Sequence, residues 1–449
     1  MKKLLLISAA MLIVSNSTFA GGYLTNTNQH ASFLRMIARG ASIDIDGVYS
    51  NPAGLAFLPQ DGFYLSLTGQ SAYQTREITS TSPLFQAIDG QGTSRLYKGT
   101  ASAPFIPSFH GAYKKGDWTI SANFAITGGG GKASFDAGLP MFSALAMKLI
   151  SQSSGGKITP NMYDITTAMD GKQYIYGLQL GLSYKINDWL SVFAGGRMNY
   201  FSGGYEGFLN AKLNEKSAAV LPIDPTLADI RLNCDQSGWG ITPIIGADVK
   251  LGKWNFGAKY EFMTNLNIEN KTKQLDLINV DKKYLTAYQD GVNTPNDIPS
   301  LLTIAVGYEI LPTLRTSVEY HFFDDKSADM AERKQKYLTK GTNEYLAGIE
   351  WDATKQLTIS GGYQKTDYGL SDDFQTDTSF YCDSYSLGFG ARINFNQALS
   401  LDIAYFWTNY SDYTKNNPRG LADASKKITD IDVYSRTNKV FGISLNYKF

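Results

Sequence analysis

The sequence has little of several features that mark familiar classes of protein. It has no net charge, because Lys and Arg together number 41 and so do Asp and Glu. This balance gives no sign of a nucleic-acid partner or of a broadly anionic one. It contains 3 histidines and 2 cysteines. Beyond its first residues it has no charge-free apolar run of about 20 residues, the length that a membrane-spanning helix needs.

A short apolar run does occur at the start of the chain. Lys2 and Lys3 precede the apolar stretch from Leu4 to Val14, and Thr18-Phe19-Ala20 offers small residues at a cleavage position. This order of features is typical of a secretory signal peptide. We therefore expect residues 1–20 to be removed after Ala20 and the mature protein to be exported without a membrane-spanning helix.

Tyrosine and glycine are abundant. The chain has 28 Tyr and 43 Gly, and aromatic residues make up 13% of it. Aromatic girdles and frequent glycine are typical of a transmembrane β-barrel, in which lipid-facing and lumen-facing residues alternate. A secreted β-sandwich or propeller has a similar composition, so strand length has to distinguish between them.

From Asp61 onward the chain falls into runs with a period of two residues, each about 10 residues or longer. Such runs suit tilted strands that cross a membrane, whereas sandwich strands are commonly about 5 or 6 residues long. In the clearest run, apolar Tyr385, Leu387 and Phe389 alternate with Ser386, Gly388 and Gly390. The predicted strands are 61–77, 106–115, 117–127, 173–186, 188–205, 238–251, 253–268, 299–311, 313–323, 343–353, 356–368, 384–396, 398–411 and 437–449.

The connections between these runs alternate in length. Short links follow the even-numbered runs and long ones follow the odd-numbered runs, which is the asymmetry of an outer-membrane barrel. The last run ends on Phe449, and this resembles the signal by which such barrels are recognised for assembly. We predict an all-β fold: a transmembrane antiparallel β-barrel of about fourteen strands, formed by residues 61–449.

The segment before the first strand is compact and kinked. In Asn51-Pro52-Ala53-Gly54, Pro52 has a fixed φ and disfavours helical geometry at Asn51, while Gly54 permits a sharp bend. A lumen enclosed by about fourteen strands is an open channel unless something fills it. We predict that residues 21–60 form a plug, with Asn51, Pro52, Ala53 and Gly54 as its gate.

These features together resemble the FadL/TodX family of outer-membrane transporters for long-chain fatty acids and aromatic hydrocarbons. The likeness rests on Asn51-Pro52-Ala53-Gly54 before the first strand, and on a barrel that ends in Phe. It extends to Gly128-Gly129-Gly130-Gly131-Lys132-Ala133 and to Gly138-Leu139-Pro140. The resemblance implies that an apolar ligand lands on extracellular loops, enters a pocket in the lumen and leaves sideways through a kink in the third strand.

The resemblance also implies which residues take part. The third and fourth extracellular loops correspond to 206–237 and 269–298, and the second loop carries apolar residues close to helical spacing, as in an amphipathic turn or two. The candidate ligand-binding residues are Val220, Leu221, Ile223, Leu277, Ile278, Leu139, Phe142 and Leu145. The candidates for the lateral opening are Phe124, Gly128, Gly129 and Gly130. Ordinary loop packing, or a flexible loop base at the glycines, explains the same residues.

The sequence has few residue patterns that are typical of catalytic or metal-binding sites. We expect no catalytic site, no metal site and no cofactor, because the histidines are far apart in sequence and no Gly-x-Ser-x-Gly elbow is present. Gly131-Lys132 is not a phosphate loop, since Ile126 stands where the first Gly is required and Ala133 where Ser or Thr is required. Cys234 and Cys382 fall in predicted extracellular loops, where an oxidising environment permits a disulfide.

The function that we predict is passive uptake of a hydrophobic small molecule, a fatty acid or a hydrocarbon, across the outer membrane. The alternatives are a general diffusion porin and a barrel-anchored surface binding protein. The predicted lumen rows are mostly small and neutral, which disfavours a porin with a charged constriction. Expected partners are the ligand, outer-membrane lipid, lipopolysaccharide and the barrel assembly machinery, with no nucleic acid.

Overall fold

The computed structural model describes residues 25–85, 92–154 and 157–449 and is dominated by strands. The predicted signal peptide, 1–20, and residues 21–24 of the predicted plug lie outside the described residues. The strands are β1 Gly62–Thr81, β2 Ser94–Lys115, β3 Trp118–Phe135, β4 Tyr163–Lys185, β5 Leu190–Leu213, β6 Thr226–Leu251, β7 Trp254–Glu261, β8 Asn267–Ile278, β9 Asn293–Pro295, β10 Leu301–Leu311, β11 Leu314–Phe323, β12 Thr342–Asp352, β13 Leu357–Asp367, β14 Ser384–Asn394, β15 Leu399–Tyr410, β16 Tyr413–Asn416 and β17 Ile431–Lys448.

Helices are few and short. The α-helices are α1 Ala31–Met36, α2 Gly47–Ser50, α3 Pro140–Ser154 and α4 Glu215–Ala218, and the 3₁₀ helices are Pro52–Phe57, Pro160–Met162, Lys282–Tyr284, Thr286–Tyr288, Ala331–Tyr337 and Ala424–Lys426. In the part of the chain that the structure covers, none of the helices has the length and apolar character needed to cross a membrane.

The strands form one closed antiparallel barrel with fourteen wall positions. Three short strands continue existing positions: β8 pairs with β6 beyond the end of β7, β9 pairs with β8, and β16 pairs with β17 beyond the end of β15. The barrel closes where β1 pairs with β17, from Tyr64 opposite Lys448 to Thr81 opposite Ile431. The predicted fold class is therefore confirmed.

The wall is apolar outside and polar inside. On β4, Leu178, Leu180 and Leu182 are exposed on the outer face, while Gln179 and Ser183, which point to the other face, are buried. Successive side chains of a strand point to opposite faces, so this alternation separates an apolar exterior from a polar lumen. The same pattern on β17 exposes Phe441, Ile443 and Leu445 and buries polar side chains between them.

Several strands extend well beyond the predicted ends at one end of the barrel. We call this the long-loop end, and the opposite end the short-turn end. Residues 206–237, predicted as a loop, contain the end of β5, α4 and the start of β6, and residues 269–298 contain most of β8. Those two loop predictions were wrong because the outer face of these extensions is largely polar, so the strands continue without the apolar outer residues by which the predicted strands were identified.

The N-terminal segment, residues 25–60, lies inside the barrel near the short-turn end. Its α1 packs in an apolar cluster in which Phe33, Leu34 and Ile37 contact inward-facing Phe406 and Val440 of the wall. A second and larger apolar cluster occupies the long-loop end and includes α3 together with β4, β5 and β6. The lumen thus has a filled lower part and an apolar upper part.

Candidate functional site

The helix α3 covers the apolar cluster at the long-loop end. Pro140 occupies the first turn of the helix, where its missing N–H costs nothing. Leu145, Leu149 and Ile150 are buried, a spacing that places them on one face of a helix. The predicted turn or two is a helix of 15 residues, and its buried face points to the barrel.

A narrow cavity of about 50 Å³ lies between α3 and the strand extensions. None of the described side chains that line it is charged. The lining residues are Phe142, Leu145, Met169, Gly207, Phe208, Leu209, Ile230, Leu232, Leu285 and Tyr288. An uncharged cavity lining of this kind suits an apolar ligand, because no charged group has to lose its water when the ligand binds.

The candidate ligand-binding residues fall into three groups. Phe142 and Leu145 line the cavity, and three more pack in the cluster around it: Leu139, Leu221 and Leu277. The side chains of Val220, Ile223 and Ile278 are 75%, 48% and 49% exposed and lie outside that cluster. Leu277 and Ile278 also line an open groove beside it, together with Leu275.

The residues that sequence reasoning missed lie on the strand extensions. Leu209, Ala211 and Leu213 are buried at alternate positions of β5, and buried Ile230 lies opposite Leu209 on β6. The alternation of these apolar residues was visible in the sequence. It was not used because the predicted fifth strand ended at residue 205.

The wall is interrupted between β2 and β3. The two strands pair with each other from Phe109 opposite Phe124 to the short-turn end, and again from Ser102 opposite Lys132 toward the long-loop end. Between these stretches, residues 103–108 of β2 do not pair with residues 125–131 of β3. Pro104 and Pro107 lie in this part of β2, and proline has no N–H to donate to a neighbouring strand. These prolines were the sequence signal for the interruption, and the sequence analysis did not use it.

Two irregularities in β3 lie within the same gap. The pairing with β4 shifts between Ile126 and Gly128 and again between Gly129 and Gly131. Gly129 has a φ of +68°, and a Cβ there would lie 2.4 Å from the carbonyl oxygen of Gln173, so only glycine fits. The candidate glycines Gly128, Gly129 and Gly130 thus lie at the bulged part of β3, and Phe124 forms the last pair below it.

The N-terminal segment occupies the inner side of this gap. The backbone N–H of Asn26 donates to the carbonyl of Thr127 at 2.8 Å, and its side-chain Nδ2 donates to the carbonyl of Gly129 at 2.8 Å. The Nε2 of Gln29 donates to the carbonyl of Ile126 at 3.1 Å. Carbonyl groups that β2 leaves unpaired are therefore satisfied by the N-terminal segment.

The motif Asn51-Pro52-Ala53-Gly54 is tied to three neighbouring strands. Asn51 caps the 3₁₀ helix Pro52–Phe57 by accepting from the N–H of Gly54, and its Nδ2 donates to Asp248 of β6 at 2.6 Å. The hydroxyls of Ser183 and Ser191, on β4 and β5, donate to the carbonyls of Pro52 and Ala53 at 2.6 and 2.7 Å. The motif is therefore the part of the segment that these strands hold against the wall.

Charged side chains hold the other side of the segment. Arg35 donates to Asp402 of β15 at 2.9 Å and to Glu350 of β12 at 2.5 Å. Arg392 of β14 bridges Asp402 and Asp44. The expectation that the lumen is mostly small and neutral was wrong, because it was based on a few positions such as Ser386, Gly388 and Ser444, and Ser444 itself lies opposite Asp402. Arg35, Glu350, Asp402, Arg392 and Asp44 lie at the level of the N-terminal segment, and each of these five meets a partner of opposite sign.

Within the segment, Arg39 forms a two-bond ion pair with Asp46, with both distances 2.7 Å. Burial by itself raises the pKa of the Asp46 carboxyl, but the Arg39 guanidinium beside it outweighs burial and lowers the pKa to about 2. Asp46 therefore stays ionised, and the pair fixes the chain between α1 and α2.

The remaining candidate residues can be placed as well. Cys234 lies on β6 and Cys382 in the connection before β14, and each is a separate buried free thiol, so the two do not form a disulfide in the structure. His321 contacts Glu319 at 2.6 Å and Glu344 at 2.9 Å through its two ring nitrogens. Both ring nitrogens are therefore engaged by carboxylates.

Comparison with known proteins bears on the fold. No protein-family model and no curated protein sequence matches the chain. Among solved structures, a FadL homologue of Pseudomonas aeruginosa is 15% identical with a TM-score of 0.68, over 96% of this chain and 100% of that one. The fold is that of the FadL/TodX barrels. The resemblance seen in the sequence is confirmed at this level.

Two further structures with the FadL/TodX fold are similar over most of their length. The toluene transporter TbuX of Ralstonia pickettii is 15% identical with a TM-score of 0.56, over 94% of this chain and 98% of that chain. The toluene transporter TodX of Pseudomonas putida is 13% identical with a TM-score of 0.57, over 92% of this chain and 97% of that chain.

Proposed function

We propose that this protein is an outer-membrane channel for the passive uptake of hydrophobic small molecules such as long-chain fatty acids or hydrocarbons. The observation that carries the proposal is the uncharged cavity beneath α3, at the long-loop end of the barrel. Removing a ligand from water is worth about 0.8 kcal/mol per CH₂. A ligand would gain this free energy in such a cavity and lose it in a water-filled pore. The toluene transporters that share the fold support this class of ligand.

The location follows from the two surfaces of the wall. The exposed apolar outer face fits a lipid bilayer, and the predicted signal peptide would deliver the chain to the outer membrane. The long-loop end would be extracellular and the short-turn end periplasmic. Outer-membrane lipid and lipopolysaccharide would surround the wall, and the barrel assembly machinery would insert it. We propose a transport role without catalysis, cofactor or nucleic-acid partner.

The gap between β2 and β3 is our candidate for the exit into the bilayer. Its support is the loss of pairing over residues 103–108 and 125–131, since an unpaired stretch of wall can part without breaking strand hydrogen bonds. We also propose that the N-terminal segment is the plug that seals the lumen. Its bonds to strands on opposite sides, such as β6 and β15, support this role. A general diffusion porin would need that space open.

Uptake of radiolabelled oleate into cells tests the proposal. Leu145→Asp places a charge in the cavity. Because a buried charge is costly, we expect this variant to bind oleate at least about tenfold more weakly and to take up correspondingly less of it. Val220→Asp is the matched control, since that side chain is 75% exposed, and it should transport like the original protein.

Parallel measurement with a small sugar separates the alternatives. Entry of sugar without oleate would mean a porin, and entry of neither would mean a barrel-anchored binding protein. Equal oleate uptake by Leu145→Asp and Val220→Asp would remove the cavity beneath α3 from the transport path.

A further inference from the structure

Two histidines that are distant in sequence meet inside the lumen. The rings of His30, in the N-terminal segment, and His110, on β2, are arranged edge to face with centroids 5.0 Å apart. Both side chains are buried, and neither ring nitrogen of His110 has a hydrogen-bond partner among the described residues. A buried imidazole without a partner is costly to protonate, and a second imidazole at this distance adds repulsion once both carry a proton.

His30 also holds the first helix of the N-terminal segment in place. Its Nδ1 accepts a hydrogen bond from the backbone N–H of Ser32 at 3.0 Å and so caps the start of α1. Its Nε2 lies 2.8 Å from Ser66 Oγ on β1, and that hydroxyl donates to Asn446 Oδ1 at 2.7 Å. Because the Ser66 hydroxyl donates its only proton to Asn446, it must accept a hydrogen bond from His30. The His30 ring is therefore neutral and carries its proton on Nε2.

Protonation of His30 would undo this arrangement. The second proton would go to Nδ1, which then becomes a donor pointing at another donor, the N–H of Ser32. The cap of α1 would be lost, and the imidazolium would lie against the second ring of the pair. Asn446 extends the connection, since its Nδ2 donates to Asp402 at 2.7 Å. The ring is therefore linked to the ion pairs that fix Arg35.

The charges around the pair come from both the segment and the wall. Those that face His30 are Asp46 and Asp44 of the segment, Asp402 of β15 and Arg392 of β14, and those that face His110 are His30 and Asp46. Each of the three carboxylates already has a guanidinium partner: Arg39 for Asp46, Arg35 for Asp402 and Arg392 for Asp44. Their pull on an imidazolium is therefore weakened. Burial outweighs it and lowers the pKa of His30 below 6.5.

We propose that His30 and His110 form a proton-sensitive latch, and that acidification releases α1 from the barrel wall and opens the lumen. The sign follows from linkage, because the docked segment binds protons more weakly than the released one. Docking is therefore strongest above pH 6.5, the ordinary pKa of histidine, and weakens below it. For each histidine, protonation can weaken the docking equilibrium by at most a factor of ten per pH unit, which is about 30-fold between pH 6.5 and 5.0.

Ion conductance of the full-length barrel in planar bilayers, at pH 7.5 and pH 5.0, tests the latch. We expect the open probability to rise at least about tenfold at pH 5.0, within the limit set by linkage. His30→Asn should abolish most of this response, because asparagine still caps α1 through its side-chain oxygen but does not titrate. His110→Gln should reduce the response, and the double variant should show none. His321→Gln leaves the pair intact and should keep the response.

The proposal rests on the N-terminal segment sealing the lumen, and a deletion of residues 50–54 separates the two ideas. If the deletion variant conducts strongly at both pH values while the conductance of the original protein does not depend on pH, the latch is overturned and the seal still stands. Unchanged conductance of the deletion would overturn the seal itself. A double variant that keeps the full pH response would also overturn the latch. Heat-modifiable migration at both pH values would verify that each barrel is intact.

Discussion

At the scale of single residues, the fit between the N-terminal segment and the wall depends on glycines that leave room for its backbone. Gly348 and Gly362 face the carbonyl oxygen of Met36, and a Cβ at either position would lie 2.1 Å from that oxygen. Such a contact is far closer than van der Waals packing allows, so the backbone of the segment would have to move. The segment and the wall are thus complementary in shape as well as in charge.

Gly362→Ala should therefore dislodge part of the N-terminal segment and raise ion conductance in planar bilayers. The neighbouring Gly361 offers a matched control, because the nearest atom to a Cβ there is 3.7 Å away, an ordinary contact. Gly361→Ala should leave conductance unchanged. If both variants conduct like the original protein, the segment does not need the space at Gly362.

At the scale of elements, α3 is held over the cavity by a residue from another loop. Asp377, in the connection between β13 and β14, accepts from the N–H of Met141 at 2.8 Å through Oδ2 and from the hydroxyl of Tyr434 at 2.9 Å through Oδ1. It satisfies one of the free N–H groups at the start of the helix. The position of α3 thus depends on a contact between loops far apart in the sequence.

This contact should depend on pH. Burial, and then the nearby Asp432, raise the pKa of Asp377 from 3.8 to about 6, with Arg419 opposing them. A raised pKa stabilises the packed loops at low pH, and that contribution is lost as pH rises through about 6. This is the opposite sign to the histidine pair.

Hydrogen-exchange protection factors for α3, which correct for intrinsic exchange, should fall between pH 5 and pH 7.5. In Asp377→Asn, which cannot titrate but keeps an acceptor for Met141, they should stay constant. Parallel falls in both proteins would show that Asp377 is not the group responsible.

Element prediction succeeded where a strand has an apolar outer face and failed beyond it. Strands β11 to β15 lie close to their predicted bounds, whereas β2, β4, β5 and β6 continue for many residues past them. The residues that line the cavity come mainly from those continuations, so most of the candidate site was missed. Phe142 and Leu145 were found because helical spacing does not depend on the membrane.

At the scale of the whole molecule, the N-terminal segment is bound to the barrel through side chains and through a backbone hydrogen bond from Asn26 to Thr127 of β3, and it adds no strand to the wall. The wall closes on itself through the pairing of β1 with β17. It does not require the segment for any of its strand pairs. Removing part of the segment should therefore leave the wall assembled.

Deletion of Ser50 to Gly54 removes the bonds to Asp248, Ser183 and Ser191. We expect a heat-modifiable barrel in the membrane fraction that conducts ions in planar bilayers, in contrast to a closed original protein. A deletion that fails to assemble would show instead that the segment is needed for folding.

The sequence by itself determined the barrel, its number of strands, the alternation of short turns and long loops, and the presence of a compact segment before β1. These follow from local periodicity and turn chemistry, which a single chain displays directly. Only the tertiary structure decided which side chains line the cavity, where strand pairing is interrupted beside Gly129, and that His30 meets His110. Each of these joins strands or segments far apart in the chain, and closure of the barrel is what brings them within bonding distance.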